Sequence, residues 1–199
     1  MSTTIVFASK NSGKILELQT SLQQFNVKII AQSTLGVNAI PEIGATFVEN
    51  ALIKARHACQ ITGLPSIADD SGLQVSALNG APGIYSARYA GDNATAEDNI
   101  KKLLAELSHV PPEKRQARFY CILAYMSHAK DPAPLICEGR WDGLILQEQL
   151  GSNGFGYDSI FWDPIKKMSA AQLSLEIKNQ CSHRGYALKL LVNKLQNHL

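Results

Sequence analysis

Apolar residues follow two different spacings along the chain, and the spacings predict an alternation of strands and helices. Apolar, β-branched runs at residues 3–8, 28–31 and 118–126 are typical of strands. Apolar side chains at three- and four-residue intervals predict helices in four segments, residues 15–22, 47–58, 100–107 and 188–195, and residues 173–180 are also expected to be helical. Strands and helices that alternate in this way predict an α/β fold.

Capping and turn residues set the expected ends of these elements. Thr46 with Glu49, and Thr95 with Asp98, predict capping boxes, and Ser182 is an expected N-cap of the last helix. Asn-Gly at residues 79–80 is typical of a hairpin, and residues 135–146 contain two short strand-like pieces around two glycines. These hairpin signals favour a mixed sheet over a fully parallel one.

Composition narrows the class of protein. The 199 residues are 45% hydrophobic and 18% charged, which is typical of a globular chain that buries a sizeable core, and we expect one domain over residues 1–199. The net charge of +2 argues against bulk attraction to nucleic acid or to a membrane. Any anionic ligand must therefore be held by a local site.

The cysteines and the N-terminus indicate the compartment. None of the four cysteines lies in a C-x-x-C spacing, so a thiolate metal site is not expected, and free thiols favour a reducing compartment. The first residues lack a basic segment followed by a long apolar run, and no stretch has the length of a membrane span. We expect a cytoplasmic protein.

The most informative stretch is residues 66–88, in which Asp69 and Asp70 follow an apolar strand. Adjacent acids are costly to bury unless a cation neutralises them, and Mg²⁺ is commonly held through one or two carboxylates with water and substrate phosphate. The functional interpretation is an Mg²⁺ site with a carboxylate that activates water. Asp-Asp-Ser-Gly is also ordinary turn composition, and this stretch alone does not decide between the two.

Candidate anion-binding groups occur in three other places. The polar loop at residues 9–14 joins a strand to a helix and ends at Lys14. Backbone N–H groups at such a helix start can bind a phosphate. Lys178 is a further cation, and His183 and Arg184 follow Ser182 at another helix start. The loop at residues 151–158 has three glycines and two aromatic residues, on which a base can stack. Together these groups suit a purine nucleoside triphosphate.

Six motifs occur in order along nearly the whole chain: SKNSGK at 9–14, FVENA with KA at 47–55, ADDSGL at 68–73, GAPGIYSAR at 80–88, GFGYD at 154–158 and SHR at 182–184. Together they resemble the inosine/xanthosine triphosphate pyrophosphatase family, and most resemble its bacterial branch. Each motif alone is moderately specific, whereas six in one order are very specific.

The resemblance implies a role for each matching residue. Asp70 is implied as the base for water and as an Mg²⁺ ligand with Glu42, and Asp69 is a further candidate ligand. The implied substrate-binding residues are Ser9, Lys10, Asn11, Ser12, Gly13, Lys14, Ser71, Phe155, Gly156, Tyr157, Asp158, Lys178, His183 and Arg184. Lys10 and Ser159 depart from the family pattern, which often has glycine and proline there.

The resemblance also implies an architecture and a reaction. It implies an elongated mixed central sheet flanked by helices, two lobes with a substrate cleft between them, and a homodimer. The implied reaction is hydrolysis of non-canonical purine triphosphates, namely ITP, dITP and XTP, to the monophosphate and pyrophosphate, with Mg²⁺. A fixed donor that faces the 6-oxo group would reject adenine. Adenine has a 6-amino group at that position, so two hydrogen-bond donors would face each other in a buried site. Arg184 or a backbone N–H of residues 155–158 is the expected donor.

Three alternatives remain at this point. A regulator that binds a purine triphosphate without cleaving it is disfavoured by the intact acids Glu42 and Asp70. A nucleic-acid-binding module is disfavoured by the near-neutral charge. A pyrophosphatase for canonical or pyrimidine triphosphates would differ only in the base pocket.

Overall fold

The computed structural model describes residues 3–23, 25 and 27–196, apart from the side chain of Ser12. The described residues form seven strands and five α-helices, joined by short 3₁₀ turns. The strands are β1 (Thr3–Phe7), β2 (Val27–Ala31), β3 (Ser66–Val75), β4 (Gln116–Met126), β5 (Leu135–Ile145), β6 (Phe161–Asp163) and β7 (Met168–Ser169). The helices are α1 (Ser12–Ser21), α2 (Phe47–Thr62), α3 (Ala96–Glu106), α4 (Leu175–Cys181) and α5 (His183–Leu195).

The strands form one sheet in the order β2-β1-β3-β4-β5-β6-β7. Strand β1 pairs in parallel with both β2 and β3, whereas β6 pairs antiparallel with β5 and with β7. The predicted α/β class and the mixed sheet are therefore confirmed.

The chain divides into two compact units. The first unit contains residues 1–70, 121–139 and 186–199, and the second contains residues 71–120 and 140–185. The chain first passes from one unit to the other inside β3, between Asp70 and Ser71. The two acids of the ADDSGL motif thus belong to the first unit, and the serine after them belongs to the second.

Each unit has its own hydrophobic core. In the first unit, β1 side chains such as Ile5 and Phe7 pack with Leu18 of α1 and with Leu188 and Leu191 of α5. In the second, residues of α3 and the sheet gather around a group of aromatic side chains, Phe119, Trp141, Tyr157 and Phe161. Burying such side chains is the main favourable term in folding, so each unit has a core on which to hold its loops.

The predicted helix starts are confirmed in detail. Thr46 and Glu49 form a complete capping box at α2, and Thr95 and Asp98 form one at α3. The Ser182 hydroxyl accepts a hydrogen bond from the Gly185 amide at the start of α5. These caps satisfy amides that a helix cannot pair internally.

Two strand predictions differ from the structure. The ADDSGL segment is neither a turn nor a strand end, because β3 continues through it as a ten-residue strand. Strand β5 is also one continuous strand rather than two pieces around its glycines. At Gly143 a Cβ atom would lie 2.4 Å from the Trp162 carbonyl oxygen, so this glycine allows a close backbone approach instead of ending the strand.

Among the described residues, no helix combines the length and the apolarity that crossing a membrane requires.

Candidate active site

Asp69 and Asp70 lie side by side on β3, yet each is neutralised by a different lysine. Neighbouring residues of a strand point to opposite faces of the sheet, so the two carboxylates face different surroundings. The Asp69 carboxylate accepts a hydrogen bond from the ammonium of Lys14, at the start of α1. The Asp70 carboxylate accepts one from Lys54 of α2, with an Nζ–Oδ1 distance of 2.6 Å. The predicted cost of burying adjacent acids is thus offset by two separate ion pairs.

Lys54 connects Asp70 to the third predicted acid, Glu42. Its Nζ lies 2.7 Å from Glu42 Oε1 and 2.6 Å from Asp70 Oδ1, so the two carboxylates converge on one cation. The start of α2 holds the loop that carries Glu42. There the Glu49 carboxylate accepts hydrogen bonds from the Ala45 and Thr46 amides, and the Asn50 side chain accepts one from the Gly44 amide.

Burial changes the proton affinity of this group. Burial raises the pKa of Asp70 from 3.8 to about 6, although attraction to the Lys54 ammonium opposes the rise. Burial lowers the pKa of Lys54, but attraction to Asp70 and Glu42 outweighs it and leaves that pKa above its ordinary value. Lys54 therefore stays charged, and Asp70 has the proton affinity of a general base that works near neutral pH.

Asp69 has a second partner in the same unit. The thiol of Cys121, on β4, donates to Asp69 Oδ2 at 3.3 Å, while Lys14 contacts Oδ1. Both oxygens of the buried Asp69 carboxylate are therefore engaged by protein groups. Asp69 is placed to orient Lys14.

The 9–14 loop leads directly to that lysine. Asn11 is the N-cap of α1, and its side-chain oxygen accepts a hydrogen bond from the Lys14 amide. The Ser9 hydroxyl accepts one from the Asn11 amide, and Lys10 is exposed. Gly13 lies in the first turn of α1, and the predicted contact of the Ser12 side chain lies outside the described part of the structure.

In the second unit, the glycine loop (residues 151–158) ends in a buried ion pair. The Lys178 ammonium of α4 lies 2.5 Å from Asp158 Oδ2, and both side chains are almost fully buried. The same oxygen accepts a hydrogen bond from the Phe155 amide. Gly154 has a φ of +80°, and a Cβ there would lie 2.1 Å from Asp158 Oδ2, so the turn requires glycine.

Cations surround the ring of Phe155, the most exposed aromatic residue of that loop. Lys178 Nζ lies 5.1 Å from the ring centroid, and Arg184 Cζ lies 5.8 Å from it. The Arg184 guanidinium also donates to the Ser71 hydroxyl at 3.0 Å. The His183 ring stacks on Phe119, with centroids 4.8 Å apart. The predicted ligand groups of this unit are therefore close to one another, namely Ser71, Phe155, Asp158, Lys178 and Arg184.

The other two residues of the predicted contact set differ from these. Gly156 has a φ of +61°, which lets the loop reverse direction. Tyr157 is 4% exposed, and its hydroxyl donates to the Ser86 carbonyl at 2.9 Å. Tyr157 thus belongs to the core beneath the loop.

The predicted residues therefore form one group in each unit. The first group contains the acids and Lys14, and the second contains the glycine loop with Lys178, His183 and Arg184. The sequence interpretation gave no role to Lys54, Cys121 or Ser86, although Lys54 and Ser86 lie inside quoted motifs. The sequence contained one signal for a role of Lys54. It lies eight residues after the cap of α2, on a helix that also carries the polar residues Glu49 and Asn50.

The carboxylates of Glu42 and Asp70 are the candidate ligands for a metal ion. No group of three or more His, Cys, Asp or Glu side chains is arranged to hold a metal within the described ranges. Glu42 and Asp70 nevertheless converge on one cation, the Lys54 ammonium. Two carboxylates suit Mg²⁺, which uses one or two protein carboxylates and completes its shell with water and phosphate. The residues present therefore fit Mg²⁺ rather than a metal that needs a full protein cage.

The mixed sheet carries carboxylates that are paired with lysines, and the glycine loop carries an aromatic ring flanked by cations. A protein with these two features is suited to a phosphorylated aromatic ligand. The Ham1 family model matches residues 5–194, and the chain belongs to that family. The resemblance predicted from the six motifs is thus confirmed.

Individual relatives are similar over almost their whole length. The dITP/XTP pyrophosphatase of Shigella flexneri is 55% identical over 193 residues, which cover 97% of this chain and 98% of the relative. The solved structure of a HAM1 protein from Coxiella burnetii is 50% identical and has a TM-score of 0.93, over 98% of this chain and 99% of that one. The Staphylococcus aureus Ham1 protein is 40% identical, with a TM-score of 0.89 over 99% and 100% of the two chains.

Proposed function

We propose that this protein hydrolyses the non-canonical purine nucleoside triphosphates ITP, dITP and XTP to the monophosphate and pyrophosphate, and so removes deaminated purines from the nucleotide pool. The observation that carries the proposal is the 55% identity, over nearly the full length, to a dITP/XTP pyrophosphatase. The two groups of side chains described above support it, because one suits a polyphosphate with a cation and the other an aromatic base.

Mg²⁺ is the proposed cofactor, held by Glu42 and Asp70. When bound there, it would neutralise phosphate oxygens and orient water. The convergence of the two carboxylates on the Lys54 ammonium supports this assignment. Asp69 is the weaker candidate ligand, because Lys14 and Cys121 already engage its two oxygens.

Asp70 is the proposed general base. Its carboxylate would accept the proton of the attacking water, and its pKa of about 6 leaves it ionised at neutral pH. Lys14 and Lys54 would offset the negative charge that develops on the leaving pyrophosphate. Ser9, Lys10, Asn11, Ser12 and Gly13 remain predicted contacts to the phosphates, and the cap at Asn11 supports a fixed loop at the start of α1.

Base recognition is assigned to the second unit. Phe155 is 41% exposed, which supports stacking on the base. The Phe155 amide already donates to Asp158, so Arg184 and the other amides of the loop are the candidate donors to the 6-oxo group. His183 would support Arg184 from its stack on Phe119. Lys178 was predicted to bind phosphate, but its ion pair with Asp158 supports a place beside the base.

Assembly and location complete the proposal. We propose that residues 1–199 act as one functional domain that binds a single nucleotide, and the family match over residues 5–194 supports this. The homodimer and the cytoplasmic location follow from the family resemblance and from the free thiols, and both remain predictions.

The test is pyrophosphate release from ITP, dITP, XTP, GTP and ATP, with Mg²⁺ and with EDTA. We expect release from the first three only with Mg²⁺. Asp70→Asn should retain nucleotide binding while hydrolysis falls by orders of magnitude, whereas the control Asp142→Asn, at a 71% exposed acid, should keep wild-type activity. Comparable turnover of ATP and ITP would refute the proposed selectivity, and near wild-type activity of Asp70→Asn would refute the assignment of the base.

A further inference from the structure

The GAPGIYSAR motif contributes no group to the chemistry proposed above, yet hydrogen bonds fix it closely. We name residues 80–88 the strap. The Ala81 carbonyl accepts a hydrogen bond from the Val75 amide, and an isolated bridge joins Pro82 to Gln74 of β3. From the other side, the buried Asn99 of α3 donates to the Ala87 carbonyl at 3.2 Å. The strap is therefore anchored to β3 and to α3.

Ser86 is the point at which the strap meets both parts of the proposed base site. Its hydroxyl donates to the Gly83 carbonyl at 2.6 Å and accepts a hydrogen bond from the Leu73 amide at 2.9 Å. Leu73 is two residues beyond Ser71, the partner of Arg184. The Ser86 carbonyl accepts a hydrogen bond from the Tyr157 hydroxyl at 2.9 Å. One residue thus connects β3, next to Ser71, with the glycine loop.

Tyr157 transmits this connection to the groups that face a ligand. Its side chain is 4% exposed and belongs to the core of the second unit, so it presents almost no surface to a substrate. The next residue, Asp158, holds both the Phe155 amide and the Lys178 ammonium. A displacement of Tyr157 would therefore move the Phe155 ring and the Asp158 carboxylate together.

We propose that Tyr157 and Ser86 are positioning residues for base recognition, which fix the glycine loop relative to Ser71 and Arg184 without touching the nucleotide. This inference rests on the proposed function. It assigns a role to the strap, and it replaces the predicted direct contact between Tyr157 and the base by an indirect one. Because the hydrolytic groups belong to the first unit, loss of this contact should affect base binding and selectivity much more than turnover.

The first test is Tyr157→Phe, which removes one oxygen atom and leaves the ring in the core. A net hydrogen bond is worth a factor of roughly three to ten in an equilibrium constant, so we expect KM for ITP to rise by about that factor, with kcat within about twofold. The preference for ITP over ATP in kcat/KM should fall by a similar factor. Calorimetric titration of ITP into Asp70→Asn, with and without Tyr157→Phe, should show the same weakening in Kd.

Tyr89→Phe is the matched control. It also removes a tyrosine hydroxyl in the second unit, but the partner of that hydroxyl is Glu106 of α3 rather than the strap. We expect KM and selectivity to stay at wild-type values in this variant. An equal change in both tyrosine variants would refute a specific role for Tyr157.

Ser86 provides an independent variant. Ser86→Ala removes both hydroxyl hydrogen bonds and keeps the carbonyl that Tyr157 contacts, and Ser86→Thr restores the hydroxyl. We expect Ser86→Ala to reproduce the rise in KM, Ser86→Thr to recover most of it, and the double variant with Tyr157→Phe to be less than additive. Additive effects would refute a single connected path.

The proposed function and this inference fail in different ways. If the wild-type protein releases no pyrophosphate from ITP, the proposed function is wrong, and the positioning role that rests on it is wrong as well. If the wild type is active, and Tyr157→Phe and Ser86→Ala leave KM and the preference for ITP unchanged, the positioning role is wrong. A lower melting temperature with unchanged KM would show that the strap is only a structural support.

Discussion

The raised pKa of Asp70 leads to a quantitative prediction about stability. An acid whose pKa is higher in the folded than in the unfolded state binds its proton more tightly when folded, so ionisation weakens folding. Below pH 3.8 the carboxyl is protonated in both states and has no effect. Between about pH 4 and pH 6 the unfolded chain loses the proton first, and the free energy of unfolding falls as the pH rises.

The magnitude follows from the two pKa values. One pKa unit corresponds to about 1.4 kcal/mol, so a rise from 3.8 to about 6 makes ionised Asp70 cost about 3 kcal/mol above pH 6. Asp70→Asn does not titrate. The free energy of unfolding of the wild type, minus that of this variant, should therefore fall by about 2 kcal/mol between pH 4 and pH 7, because the unfolded acid is already partly ionised at pH 4.

Urea denaturation in EDTA, at several pH values, measures this difference without interference from a metal. The difference between the two proteins is the useful quantity because acids far from Asp70 cancel in it. Asp142→Asn serves again as the control, and its difference from the wild type should stay within about 0.5 kcal/mol over the same range, because exposed pairs contribute little. A difference for Asp70→Asn that is constant, or that rises with pH, would mean that Lys54 outweighs burial and would refute the reasoning.

Three further predictions concern catalysis and the glycine loop. With Mg²⁺ present, kcat/KM for ITP should rise with pH through an apparent pKa at or below about 6, because Asp70 must be ionised to accept a proton; a constant rate from pH 5 to pH 8 would contradict this. Lys178→Met should lower the free energy of unfolding by about 3–5 kcal/mol in urea titrations, because it leaves the Asp158 charge buried and unpaired, and adding Asp158→Asn should restore most of the loss. Gly154→Ala should weaken ITP binding and should destabilise the fold by more than Gly63→Ala does. Gly63 has a similar φ of +67° but has open space around it, so equal melting temperatures for the two variants would exclude the clash with Asp158.

Local signals in the sequence predicted the helix ends well. A capping box such as Thr46–Glu49 acts within four residues, so the sequence contains all the information it needs. The same holds for Ser182, whose hydroxyl accepts a hydrogen bond from the amide three residues further on. These predictions depend on no distant part of the chain.

Predictions that depend on distant partners were less successful. Asp-Asp-Ser-Gly has turn composition, but pairing within the sheet and the ammonium groups of Lys14 and Lys54 make a buried strand possible there. Lys54 received no predicted role because its two acids lie 12 and 16 residues away in sequence. Gly143 resembled a strand end because its reason, a close approach to Trp162, exists only in the folded sheet.

The alternation of side chains along β3 has a consequence for how this gene can change. Asp69 and Asp70 differ in neighbours only because adjacent strand positions face opposite ways. Deleting or inserting a single codon just before them would shift each residue to the opposite face, so that one acid would meet the wrong lysine and the other lysine would lose its acid. We therefore expect insertions and deletions at this point of β3 to be eliminated by selection.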